Sequence, residues 1–132
     1  MTTFDPSLIA TYPQVAESDV KLLWHGDYWD GLIDGMLLHQ GEKCWYERIA
    51  ENANDDDQWY RRFVIVRLTP EQLADALLWH EMFQTHVGTH TDYDDPCGSV
   101  RPREGMHLFY DRYKDRIQPD YSTNHILGWL EM

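Results

Sequence analysis

Cysteine is nearly absent: Cys44 and Cys97 are the two in 132 residues. They are too few for a disulfide framework and lack the paired spacing of a zinc site, which leaves one bridge or two reduced thiols. Positive charge is also in short supply. Three Lys and eight Arg stand against 23 Asp plus Glu, for a formal net charge of −12. Such an excess repels phosphate backbones, and nucleic-acid binders draw much of their affinity from cations, so direct binding of DNA or RNA is disfavoured. No apolar run approaches the roughly 20 residues a membrane-spanning helix needs. The start, Met1-Thr2-Thr3-Phe4-Asp5-Pro6, has neither a basic nor an apolar leader region, so the expectation is a cytoplasmic chain with no membrane association. No G-x-S-x-G, P-loop or G-x-G-x-x-G occurs, which removes the motif-based cases for hydrolase, kinase-like and dinucleotide chemistry. Repeats and low-complexity segments are missing as well.

What is present is apolar and aromatic. The chain is 42% hydrophobic and 14% aromatic, with six Trp, far from the composition of a disordered chain. At this length a single domain over residues 1–132 can bury a core without metal or disulfide support.

Asp5-Pro6 is a helix-start pair, and a short helix is expected from Pro6 to about Tyr12, closed by Pro13. Lys21 to Trp24 reads as a first strand, followed by a turn-rich loop from His25 to Gly31. Met36 to His39 and Lys43 to Ile49 are strand-like runs joined by Gln40-Gly41-Glu42, a hairpin signal. The stretch from Glu51 to Gln58 reads as a solvated loop. Trp59 to Leu68 contains Phe63-Val64-Ile65-Val66, the continuous apolar run of a central strand buried on both faces. Thr69-Pro70-Glu71-Gln72 starts a helix that should reach about Val87, with Leu73, Ala76, Leu77, His80, Phe83 and Val87 on one stripe facing a sheet. Met106, Phe109, Tyr110, Tyr113 and Ile117 follow helical spacing, and His125 to Leu130 reads as a last strand. The fold expected is α+β: one curved antiparallel sheet of about four to five strands packed against a long central helix, with a short N-terminal helix and a second C-terminal helix.

The histidines raise a metal or acid–base reading. His86, His90 and Asp92, with Asp94, follow the main helix with spacing H-x3-H-x-D-x-D, and His25 and Asp27 are possible contributions from elsewhere in the chain. Imidazoles and carboxylates converging at a helix end suit Zn, Mn or Fe. The spacing matches no established motif, and the plain alternative is a polar helix end running into a solvated loop. His80 sits inside the apolar stripe, where a general base in a pocket competes with a structural imidazole satisfied by a neighbour; the structural role is the one expected. Cys97 lacks the cationic setting expected of a thiol nucleophile, and its sequence neighbours Asp94 and Asp95 would disfavour a thiolate.

The aromatic loops carry the preferred reading. Trp24, Tyr28 and Trp29 stand with Asp27 and Asp30 in eight residues beside a turn, and Asp55-Asp56-Asp57 precedes Trp59 and Tyr60. With Trp45 these would form an acidic rim around aromatic anchors, the arrangement expected of a binding hot spot. The alternative is that the Trp side chains pack beneath the loops as satellite core. In size, acidity and Trp content the chain resembles small bacterial or phage proteins that bind and neutralise a partner, such as toxin-immunity proteins. That likeness is one of composition and rests on no motif.

The expectation is therefore a non-catalytic acidic protein without a cofactor. It would engage a basic protein surface as an inhibitor, immunity-type protein or nucleic-acid mimic through Trp24, Asp27, Tyr28, Trp29, Asp30, Asp55, Asp56, Asp57 and Trp59. Two other readings stand beside it: a small metal-dependent or acid–base enzyme using His86, His90 and Asp92, and a structural subunit of a homo-oligomer.

Overall fold

The computed structural model describes residues 4–26, 32–53, 59–87 and 106–132, with 51–53 and 59–60 described as backbone only. Its contacts separate two compact units: Met1–Pro70 with Asp120–Met132, and Glu71–Pro119.

The first unit is a five-stranded antiparallel sheet. β1 (Val20–His25), β2 (Asp34–His39), β3 (Glu42–Ala53), β4 (Trp59–Arg67) and β5 (Ile126–Glu131) lie side by side in chain order. The β2–β3 turn is set by Gln40 and Gly41, whose φ values of 51° and 78° are the two left-handed positions of a type I′ hairpin, the turn whose twist matches paired strands. Register then sorts the side chains by face. Met36, Trp45, Val66 and Ile126 form one cross-strand row, whereas Leu37 and Cys44 pair on the opposite face. On that opposite face Leu37, Cys44, Tyr46, Phe63, Ile65 and Leu130 make a continuous core, with Val15, Val20, Leu32, Leu127 and Met132 packed against it. Met36, Val64 and Val66, on the first face, are fully buried too. The Phe63–Val66 run is thus buried on both sides, as its unbroken hydrophobicity requires.

Both sheet edges are blunted. β1 is bulged between Leu22 and Trp24. Beside β5 the chain at Pro13–Val15 forms a short parallel bridge, through Val15 N to Trp129 O at 2.7 Å and Trp129 N to Pro13 O at 3.0 Å. Bulges and covering segments deny a second strand the flat ladder it would need.

The second unit holds α1 (Pro70–His86) and α2 (Met106–Tyr113). The expected α1 stripe is real: Leu73, Ala76, Leu77, His80, Phe83 and Val87 are buried or half-buried, while Glu71, Asp75, Leu78 and Glu81 are exposed. Trp79, which lies off that stripe, and Phe83, which lies on it, meet α2. Trp79 packs edge-on against Phe109 and Tyr113, and Phe83 against Phe109, with centroids 5.5 to 6.0 Å apart. Arg116 lies 4.5 Å over the Trp79 ring and bonds Asp75 at 2.7 Å.

The α+β class expected from sequence is the one observed, although the sheet is not clearly curved. β1 and β2 are slightly longer than expected, Val20–His25 and Asp34–His39, and three other differences are instructive. The N-terminal helix is a five-residue 3-10 turn, Pro6–Ala10, capped by Asp5 accepting from Ser7 N at 2.9 Å. β3 runs on to Ala53 where a loop was expected from Glu51, because pairing with β4 from Ala50↔Arg62 to Ala53↔Trp59 supplies backbone bonds whatever the side chains are. α2 stops at Tyr113, and Ile117, expected on its stripe, is 93% exposed.

Candidate interface at one end of the sheet

Strand direction gathers the two acidic segments. β1 ends at His25 and β2 begins at Asp34, closed by Gly26 N donating to Asp34 O at 2.9 Å. Asp34 pairs with Glu47, so β3 continues past the start of β2 from Arg48 to Ala53, a reach of roughly 20 Å at the usual strand rise. On the far side β5 ends opposite Arg62, and Met132 exchanges both backbone bonds with Arg61 at 2.9 Å. The outer parts of β3 and β4 therefore form a two-stranded ribbon projecting past both neighbours. In the chain, residues 27–31 connect β1 to the arm that starts at Leu32, and 54–58 connect the two strands of the ribbon. The strand ends that carry both segments lie at the same end of the sheet.

Buried Arg61 braces the base of that arrangement. Its Nη1 donates to Leu32 O at 2.7 Å, while Arg48 N donates to Ile33 O at 2.7 Å. Together they tie the returning arm of the β1–β2 connection to the ribbon. Arg62 beside it bonds Glu131 at 3.2 Å and lies 5.4 Å from the centre of the Trp129 ring. These cations are consumed within the sheet unit.

Of the interface residues expected from sequence, Trp24 stands on β1 and is half-buried, on the face of Met36, with its carbonyl accepting from the Tyr46 hydroxyl at 3.3 Å. Trp59 opens β4 opposite Ala53. Asp27, Tyr28, Trp29, Asp30, Asp55, Asp56 and Asp57 lie outside the described residues. Trp45, grouped with them on composition, is half-buried and meets Tyr121 edge-on at 5.4 Å. Its sheet position was legible in the alternation of β3, but its partner Tyr121, isolated in a polar stretch, carried no signal.

The chemical alternatives fare as follows. His86 occupies the last turn of α1, and His90 and Asp92 lie outside the described residues, as does Cys97. Among the described residues no group of three or more His, Cys, Asp or Glu is placed to hold a metal. Cys44 is free and fully buried. Burial, helped by the nearby Glu42 charge and opposed by Arg67, pushes its thiol up to about 11, so it stays protonated at neutral pH and is no nucleophile. Burial first, and the Asp34 charge second, also raise the Tyr46 hydroxyl well above its ordinary value. His80 is half-buried, and desolvation lowers its pKa. No family model, no curated protein and no solved structure matches the chain.

Proposed function

We propose that this protein is a non-catalytic acidic binding protein that engages a basic protein surface through the ribbon end of its sheet. It would act in the cytoplasm as an inhibitor of the immunity or nucleic-acid-mimic kind. The observation that carries this reading is the convergence of strand ends. Two chain segments holding Asp27, Asp30, Asp55, Asp56 and Asp57 and no Lys or Arg emerge at one end of a rigid sheet, where the arginines at their base are already engaged. Five carboxylates in two connections whose flanking strand ends lie at the same end of the sheet would make a field that steers a cationic partner, while Trp24, Trp29 and Trp59 would supply the ring-bearing residues that dominate interface energetics.

Salt and charge removal test it. The chain, immobilised and exposed to a set of basic proteins including nucleases, should bind one of them at low salt and lose affinity by tenfold or more as salt is raised. Replacing all five aspartates by Asn should remove that salt dependence and most of the affinity. A partner held equally well at high salt, or by the five-Asn variant, defeats the reading.

A further inference from the structure

A groove of about 190 Å³ opens between the two helices of the second unit, lined by Met82, His86, Leu108, Phe109 and Arg112. Met82 and His86 are one turn apart on α1, and Leu108 and Arg112 one turn apart on α2, so each helix presents one apolar and one nitrogen-bearing side chain. Phe109 is 5% exposed and sits beneath them, whereas Leu108 is 50% exposed and open to a ligand.

The state of Arg112 gives the groove its chemistry. Arg62, Arg67 and Arg116 meet carboxylates at 3.2, 2.7 and 2.7 Å. Arg112 instead donates to the Met82 sulfur at 3.8 Å, and among the described residues no carboxylate reaches it. A thioether is a weak acceptor, while a guanidinium matches the planar pair of oxygens of a carboxylate. Among the described residues, therefore, this arginine rests on sulfur beside an open apolar surface, with no carboxylate partner there to use its strongest bonding capacity.

We propose that this groove binds a small apolar monocarboxylate, an aromatic or short aliphatic acid. Its carboxylate pairs with Arg112 and takes a second bond from a ring N–H of His86, and its hydrocarbon part lies on Met82, Leu108 and Phe109. The volume suits one ring, since a cavity of about 150 Å³ accommodates benzene. A ligand of this size, paired at one end in an open groove, binds on the order of a millimolar. The assignment is independent of the acidic interface and of its partner.

The test is an amide-detected NMR titration of the full chain with benzoate, hexanoate and benzamide. Benzoate and hexanoate should give saturable shifts confined to amides near residues 82–86 and 106–112, and benzamide, isosteric but uncharged, should bind at least tenfold more weakly. Arg112→Gln should weaken benzoate about tenfold and leave benzamide unchanged. Leu108→Asp, at a half-exposed position that tolerates a polar group, should abolish benzoate binding by placing a like charge in the groove. Non-saturable shifts, equal affinity for benzamide, or unaltered benzoate affinity in either variant with a native-like spectrum would overturn the proposal.

Discussion

The sheet unit and the helix unit are held by different means. In the sheet, Met36, Leu37, Cys44, Tyr46, Val64, Ile65, Val66 and Leu130 have no exposed surface, and they are spread over both faces. In the helix unit, among the described residues only Ala76, Val87 and Phe109 are buried, while Leu78, Leu108, Tyr110 and Ile117 are between 45% and 93% exposed. Its cohesion comes from a ring cluster around Phe109, which touches Trp79, Phe83, Tyr110 and Tyr113 at 5.1 to 5.8 Å. A burial-dominated unit is sensitive to volume at many points; a ring-dominated one concentrates its sensitivity in a few residues.

The largest effect should come from Phe63→Ala. Phe63 is 1% exposed and meets Tyr46 edge-on at 5.5 Å, so the lost transfer energy and the cavity together cost about 3–5 kcal/mol. A urea midpoint followed by far-ultraviolet circular dichroism measures it, and a cost below about 1 kcal/mol would show that the sheet core is loosely packed. Next stands Gly35→Ala. A Cβ at Gly35 would fall 2.7 Å from the Tyr46 hydroxyl and still closer to Trp24 O, atoms whose own hydrogen bond spans β2. β1 would have to move away, at about 2–3 kcal/mol, and the same denaturation curve reads it. If Ala is accepted without loss, β1 is not the tightly seated strand described.

A smaller effect tests the helix unit. Arg116→Met keeps the aliphatic stem but removes the guanidinium from Trp79 and Asp75. The bond to Asp75 is half-exposed and the ring contact is modest, so the expected loss is about 1 kcal/mol, accompanied by a change in Trp fluorescence. A loss as large as that of Phe63→Ala would mean the ion pair, and not the ring cluster, holds the helices.

The same contrast explains what the sequence disclosed. Strand β4 and helix α1 were legible because Phe63–Val66 is an unbroken apolar run and Pro70 opens a marked stripe ending near Val87. The outer half of β3 was not. Glu51-Asn52-Ala53 owes its strand conformation to backbone pairing with residues 59–61, a long-range cause that leaves no local pattern. The end of α2 was hidden for the converse reason: Ile117 keeps helical spacing, but spacing alone does not supply a surface to bury it. Trp79 was overlooked because it lies off the aliphatic stripe, and its partners Phe109, Tyr113 and Arg116 are distant in sequence. As for the interface, sequence marked the residues, and topology added that their flanking strands end together. Nothing in composition pointed to Arg61, whose role depends on Leu32 lying opposite it.

The most delicate probe of the comparison is pH. His80 lies in the buried stripe of α1, and desolvation holds its pKa below the ordinary histidine value of 6.5. The folded chain therefore binds fewer protons at this site than the unfolded chain once the pH enters that range. Stability that is intact above about pH 7 declines as pH falls from there towards the lowered folded value. His80→Leu removes the titrating group while keeping the stripe apolar. Helix melting followed by circular dichroism at about pH 7.5 and about pH 5.5, above the range where most carboxylates titrate, should show a smaller drop in the variant than in the parent chain. Parallel drops would place the acid sensitivity elsewhere and leave His80 as an ordinary solvated imidazole. A shallower drop would show that this sparsely buried unit excludes enough water along one helical stripe to discriminate against a charge.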